Sequence, residues 1–350
     1  MSTKDLLFTA TREPSYVRNL LVRRALAGLG RLTEATSALP SYPLRLTAVS
    51  ARLILRRPKA DLIWVGFFGQ PLVPLVKRLY PGRPVILDAF VSAFDTLCLD
   101  RQTLGKNSPG GVLARLLDHA AFRQADVVVV DTLAQRRFLT EEFPIGPDKV
   151  VVHRLGYDEK VFRPLPPAPS SGICVFFYGS FLPLHGVETI LAAAKLLSAD
   201  PRVHFLIGGG PAGRHHLRAL GKLPNVRFVG YIPYGRLPDF ISKAHICLAG
   251  PFGTTPKAGR VITGKTYQFL ACHRATIVGD NEANRELFTP GRDVWFVPRG
   301  EPEALAEAIR FLADHPPLRD DLAEAGWRRV RGFDTAGQVR QLSWIQNLLG

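Results

Sequence analysis

The 350-residue chain is predicted to be an α/β protein of two doubly wound, parallel-sheet halves. Three observations predict this. Short apolar runs alternate with amphipathic stretches along most of the chain, the order expected of repeated βαβ units. One run, 127–130, is four consecutive valines, as a strand buried on both faces requires. The pattern stops at 164–172, PLPPAPSSG, and then restarts. Four prolines in nine residues there exclude helix and central strand, which marks an interdomain linker.

The elements follow in order. In the first half, strands are expected at 5–9, 32–35, 62–66, 85–89, 127–131 and 150–154. Helices are expected at 16–29, 44–55, 71–79, 111–123 and 134–142. After the linker, strands are expected at 174–178, 204–208, 226–230, 246–249, 276–278 and 294–297. Helices follow at 187–197, 213–220, 236–243, 265–272, 285–288, 303–314 and 317–327. The tail, 334–349, reads as one last helix. The division is 1–165, 166–330 and a terminal segment 331–350. Two such halves predict a bilobed protein that holds its ligand outside the C-terminal strand ends.

Hydrophobic residues make up 46% of the chain and charged residues 21%, ordinary for a folded soluble protein. The net charge of +15 is not ordinary and calls for an anionic partner. Residues 1–60 hold eleven Lys or Arg against three acids, so more than half of the excess sits there. No apolar run approaches the roughly 18–20 residues of a membrane span, and the start of the chain lacks a signal-peptide core. The four cysteines, Cys98, Cys174, Cys247 and Cys272, have no paired spacing and read as buried thiols of a cytoplasmic protein. No His, Cys or Asp cluster has metal-ligand spacing, and the adjacent His215 and His216 read as surface.

The segment 252–286, FGTTPKAGRVITGKTYQFLACHRATIVGDNEANRE, carries the most chemistry. Arg260 and Lys265 flank Thr263 and Gly264 just before an apolar helix. A helix start presents free N–H groups and positive dipole, and two further cations suit a diphosphate. A solvated basic loop ahead of an ordinary helix is the competing reading. Elsewhere the same choice recurs. Gly179 serves either a turn or the approach of a phosphate. His185 is either a phosphate ligand or a cap. Gly209, within Gly208–Gly210, follows a strand and precedes a helix. Tyr231 either covers a base or the core, and Lys257 is either a ligand or solvated. Glu286 either begins a short helix as its cap or touches a sugar. Asp88 at a strand end and Asp95 in the loop beyond it either orient an acceptor or cap local turns.

Taken together, several segments resemble the family 4 retaining glycosyltransferases of the GT-B superfamily, the group 1 glycosyl transferases. FYGSFLPLHGVETILAAAKLL (177–197) is similar to the family's first C-domain strand, glycine loop and helix. FLIGGGP (205–211) and VRFVGYIPYGRLPDFISKAHICLA (226–249) resemble the units that follow. The segment 252–286 resembles the donor region, in the branch written FGT-x-x-KA-x-RVI-x-x-K-x-x-QALA. ADVVVVDT (125–132) and VVVHRLGYDEKVFRP (150–164) resemble the end of the N-domain.

The resemblance implies GT-B: two Rossmann-like domains facing a central cleft, with a C-terminal helix that packs back on the N-domain. It implies a nucleotide-diphosphate sugar as co-substrate, with no cofactor and no metal. It also implies front-face substitution, in which the leaving phosphate helps to deprotonate the acceptor. The family's two glutamates, eight residues apart, fall here on Arg260 and Gln268. Gln268 retains groups for ribose hydroxyls, whereas Arg260 cannot copy an acceptor. Ser180 and His185 stand where the family often has an Arg and a Lys that clamp the diphosphate. The expectation is that the cations have moved to Arg260 and Lys265. The expected site is thus Asp88, Asp95, His185, Arg260 and Lys265 for chemistry, and Gly179, Ser180, Gly209, Tyr231, Thr263, Gly264, Gln268 and Glu286 for the donor.

Two basic amphipathic stretches, 16–31 and 42–59, suit an anionic membrane surface; ordinary covering helices are the alternative. Nucleic acid is not expected, since no such module is visible. The expected function is a cytoplasmic, peripherally membrane-bound transferase acting on a lipid-linked or other glycan, in polysaccharide assembly. A nucleotide-sugar epimerase or hydrolase and a catalytically silent GT-B protein are the alternatives.

Overall fold

The computed structural model describes residues 3–11, 16–164, 166, 172–210 and 223–349. The expected helix 213–220, His215–His216 and most of the proline-rich linker lie outside these residues. The chain divides into two compact units: Met1–Gly156 with Phe333–Gly350, and Tyr157–Gly332.

The first unit holds a parallel sheet of order β2-β1-β3-β4-β5-β6. Its strands are β1 (Asp5–Thr9), β2 (Arg31–Ala35), β3 (Leu62–Val65), β4 (Val85–Asp88), β5 (Val127–Val130) and β6 (Val150–Val152). Between them run α1 (Val17–Ala27), α2 (Tyr42–Arg56), α3 (Leu72–Leu79), α4 (Pro109–Gln124) and α5 (Leu133–Glu142). The chain steps one way from β1 to β2 and the other way from β2 onward. Right-handed crossovers then send α1 to one face and α2–α5 to the other. Val49, Leu53, Val76, Phe122 and Leu139 form one core with Val65 and Leu87. Val22 and Leu26 form another with Leu6, Phe8 and Trp64. The tail closes that second face through Leu342 and Ile345.

The second unit is a parallel sheet of order β12-β11-β10-β7-β8-β9. Its elements are β7 (Ile173–Gly179), α6 (Val187–Leu196), β8 (Val203–Gly209), β9 (Val226–Gly230), α7 (Leu237–Ile241), β10 (Ile246–Leu248), α8 (Gly264–Ala271), β11 (Ala275–Gly279), α9 (Glu282–Arg285), β12 (Trp295–Val297), α10 (Pro302–Asp314) and α11 (Pro316–Val330). The order reverses between β7 and β10, so the C-terminal ends of those two strands border the topological switch point where such sheets bind ligands.

Three expectations are corrected. The tail is two helices, α12 (Thr335–Gln341) and α13 (Ile345–Leu349). Tight bonds such as Ile345 N to Leu342 O break the run, and both Leu342 and Ile345 are fully buried. The short helix expected at 285–288 instead occupies 282–285, because Asn281 Oδ1 takes the Asn284 N–H (2.6 Å) and starts it earlier. Glu286 therefore closes that helix rather than opening it. Asp95 does not lie in a loop but opens a helical turn, Asp95–Asp100. The cause is remote in sequence. Asp118 on α4 accepts hydrogen bonds from Ser92 Oγ (2.7 Å) and from the Ala93 and Phe94 amides (3.1 and 2.8 Å).

No helix among the described residues is long and apolar enough to cross a membrane. All four cysteines are free and buried.

Candidate functional site

The second unit gathers its unusual chemistry at the C-terminal end of β7. The loop after β10 leads into α8, whose N-cap is Thr263. Thr263 does not cap the helix with its side chain. Its Oγ1 donates to Ala249 O (3.0 Å) and meets Thr266 Oγ1 at 3.2 Å. The hydroxyl thus pins the helix start to the end of β10 and leaves the first N–H groups of α8 without a side-chain acceptor.

Lys265, in the first turn, is 6% exposed. Its Nζ lies 5.3 Å from the centroid of the Phe177 ring on β7. Burial pushes its pKa down to about 7, since a charge removed from water without an acid beside it loses its solvation. Among the described residues it has no carboxylate partner, an unusual state for a buried cation. His185 ends the short turn Pro183–His185 ahead of α6. Its Nδ1 is buried without a hydrogen-bond partner among the described residues. Burial, and then the nearby Lys265 charge, hold its pKa well below the ordinary histidine value.

Gly179 closes β7. A Cβ there would stand 3.0 Å from His185 Nδ1, so glycine lets the imidazole and the strand end approach closely. Gln268, one turn beyond Lys265, is buried, and its Oε1 accepts from Tyr178 OH. Lys265, Gln268 and His185 thus meet Phe177, Tyr178 and Gly179 in order along the strand. Behind them, Phe252 N donates to His185 O (3.3 Å) and Gly253 N to Leu184 O (3.1 Å). A groove of about 610 Å³ opens along this junction, lined in part by Phe181, Gly186, Gly253, Thr254 and Gly300. Gly186 has φ 61° and its Cβ would lie 2.4 Å from Gly253 N, so it meets both conditions that demand glycine.

The remaining expected residues separate. Thr263 and Gly264 belong to the cluster through the start of α8. Ser180 is exposed directly after Gly179. Gly209 ends β8, where a Cβ would meet Phe181 Cε2 at 2.0 Å, so close packing already requires a glycine. Tyr231 is 76% exposed. Arg260 is half-buried and donates to Pro256 O (3.1 Å), across its own short turn. Lys257 is buried rather than solvated. In the first unit, Asp88 is held by Arg18, and Asp95 is buried, with its backbone N–H on Ser92 Oγ.

Three residues were not foreseen. Asn281 Nδ2 donates to Ala258 O (2.7 Å) and Val261 O (3.2 Å), tying the loop ahead of α8 to the start of α9. Asn284 Nδ2 donates to Gly279 O (2.9 Å). Arg299 Nη1 donates to Gly253 O (3.1 Å). An Asn just after a buried strand was a readable cap signal for Asn281; the other two depend on long-range packing. Among the described residues, no group of three or more His, Cys, Asp or Glu is placed to hold a metal.

The fold and this site define the class of a GT-B protein. A "Glycosyl transferase-like" family model matches residues 188–342. That stretch is less than half of the chain, and over it the chain is similar to the group 1 glycosyltransferases. Curated relatives include a D-inositol 3-phosphate glycosyltransferase of Corynebacterium glutamicum, 25% identical over 69% of this chain and 62% of the relative. One of Acidothermus cellulolyticus is 31% identical over 60% of this chain and 50% of the relative. The chain thus spans about half to three-fifths of the length of these relatives. Among solved structures, sucrose-phosphate synthase from Thermosynechococcus elongatus aligns over 99% of both chains with a TM-score of 0.78 at 17% identity. Anabaena HepE in complex with UDP-glucose aligns over 98% of this chain and 99% of that one, with a TM-score of 0.72 at 14% identity.

Proposed function

We propose that this chain is a retaining, metal-independent glycosyltransferase that moves a sugar from a nucleotide-diphosphate donor onto a lipid-linked or other glycan acceptor. The observation that carries the reading is Lys265, a buried cation at an uncapped helix start beside the switch point of the second sheet. It has no anion of its own among the described residues, and a diphosphate supplies one. The match of 188–342 to a glycosyl transferase-like family model supports the reading, as do a relative named for glycosyl transfer and a neighbour solved with UDP-glucose.

In this mechanism the donor diphosphate lies against the α8 N-terminus and Lys265. As the glycosidic bond breaks, negative charge builds on the leaving oxygen. A fixed ammonium and aligned N–H groups stabilise that charge without reorganisation. Gln268, held by Tyr178, is positioned for the ribose hydroxyls, and His185 faces the same phosphates. The leaving phosphate takes the acceptor proton. Asp88 acts through Arg18 as a positioning group of the acceptor unit.

The acceptor unit also offers a surface for anionic lipid. Helix α1 is the weaker candidate, because Arg18 is buried and Arg23 pairs with Glu34 at 2.7 Å. Helix α2 exposes Leu44, Ile54 and Leu55, and α4 exposes Val112, Leu113 and Leu116. Both lie on the same face of the sheet, and Arg52, Arg56, Lys59, Arg101 and Lys106 are exposed around them.

The test is turnover with a panel of UDP-, GDP- and dTDP-sugars, scored as donor hydrolysis and transfer. Turnover with one nucleotide class, reduced at least tenfold by Lys265→Met, is expected. A folded protein that neither turns over nor binds any nucleotide would instead be catalytically silent, a reading favoured by Arg260 in place of an acid and by Ser180 and His185 in place of clamp cations.

A further inference from the structure

We infer that Lys265, beside His185, forms a proton-linked cradle: above neutral pH the donor diphosphate is bound together with a proton from solvent, which Lys265 holds fully only while the anion is present. This rests on the donor reading above and adds a property to it.

The geometry asks for such a step. Lys265 is 94% buried by difference from its 6% exposure. Its described company includes the face of Phe177 and, close enough to feel its charge, the imidazole of His185. Among the described residues no carboxylate pairs with Lys265, and burial alone shifts it. Helix α8, GKTYQFLA, has no other charged side chain. The end of β7 contributes only Phe177, Tyr178 and Gly179, and the turn ahead of α6 contributes His185. Glu324 on α11 is taken by His273 (2.9 Å) beyond the far end of α8. Asp280 after β11 is taken by Arg285 (2.6 Å). The charged side chains that the loop just ahead of α8 brings, Lys257 and Arg260, are cations and supply no counter-charge.

A buried amine in this setting is held partly neutral near pH 7, in line with the value of about 7. A diphosphate placed beside it restores the charged form, since an adjacent anion favours the cation. The balance is simple: a buffer acid loses a proton, an N–H bond forms on Lys265 Nζ, and the ammonium faces the phosphate. His185 stays neutral beside Lys265, which leaves Nδ1 able to take part in a hydrogen bond with the same anion. Binding then takes up a proton, and affinity falls as pH rises above 7.

The experiment is calorimetric titration of the full chain with UDP-glucose, GDP-mannose and dTDP-glucose, keeping the one that binds. The diphosphates of these donors carry no titrating proton above pH 7, and their base N–H groups ionise only above about pH 9, so a proton taken up at pH 8 belongs to the protein. Repeating the titration in buffers of different ionisation enthalpy reads the proton count. Wild type is expected to take up a substantial fraction of one proton at pH 8, and Kd is expected to rise by up to about tenfold per pH unit between 7 and 9. Lys265→Arg, whose guanidinium stays charged, is expected to bind with no uptake and a flat Kd. Lys265→Met is expected to bind at least tenfold more weakly at pH 7, also with a flat profile. Wild-type binding with equal heats in every buffer and a flat Kd overturns the inference and leaves the donor reading standing. A folded wild type that binds no sugar diphosphate overturns both. Should Lys265→Met not fold, the Lys265→Arg comparison decides alone.

Discussion

Arg18 and Asp88 form a two-point ion pair with both side chains 1% exposed, Nε to Oδ2 at 2.8 Å and Nη2 to Oδ1 at 3.2 Å. Arg18 Nη1 also donates to His153 O (2.9 Å). One guanidinium therefore ties the start of α1 to the end of β4 and the segment after β6. Removing one partner of such a pair strands a buried charge, at a cost of about 3–5 kcal/mol. Arg18→Met and Asp88→Asn are each expected to lower the urea midpoint accordingly. A stable Asp88→Asn with a much reduced kcat would show instead that Asp88 works directly on substrate.

Asp118 gathers the 92–94 loop, and Asp118→Ala orphans a hydroxyl and two amides. The expected loss is about 2–4 kcal/mol by chemical denaturation. Burial raises the Asp118 pKa to about 6, above its ordinary 3.8, despite the hydrogen bonds from Phe94, Ser92, Ala93 and Gln70 that pull it down. A raised carboxyl contributes stability that is fully present below about 3.8 and lost as pH rises through about 6. Wild-type stability should therefore fall over that window relative to Asp118→Asn, and parallel pH profiles would contradict it.

Lys265 has the opposite sign. Its pKa is depressed from 10.5 to about 7 by burial. Its contribution is present above about 10.5 and lost as pH falls through about 7. Without ligand, Lys265→Met is expected to melt above wild type at pH 6, with the gap closing toward pH 10. A constant gap would mean the amine is solvated in the native state.

Asn281 both caps α9 and holds the 258–261 loop. Asn281→Ala is expected to cost about 1–3 kcal/mol, from the lost cap and two unpaired carbonyls. It should also weaken sugar-diphosphate binding several-fold, because that loop leads into α8. Destabilisation with unchanged Kd would separate the loop from the site.

Leu55 is 83% exposed and Ile54 54%, beside exposed Arg52 and Arg56. Sedimentation with vesicles containing phosphatidylserine is expected to drop when both are changed to Ser, and to drop in high salt, each nearby cation being worth about 1 kcal/mol. Equal sedimentation with neutral vesicles would count against this surface.

Most of the fold was legible from local pattern. The βαβ rhythm needs only side chains close in sequence, and parallel strands buried on both faces leave an unmistakable apolar run. The start of α8 was legible for the same reason, since Thr263, Gly264 and Lys265 are neighbours in the chain. Partnership was not legible. Nothing near Asp88 announces Arg18, 70 residues away, and nothing near Ser92 announces Asp118. That Lys265 is buried against Phe177 with no acid among the described residues, and that Gly209 is demanded by Phe181, follow from which strands lie side by side. Burial and pairing set the charge state of an ionisable group. Chain order alone therefore supplied the candidates, while packing around each sheet determined which are bound up in structure and which lack an anion among the described residues.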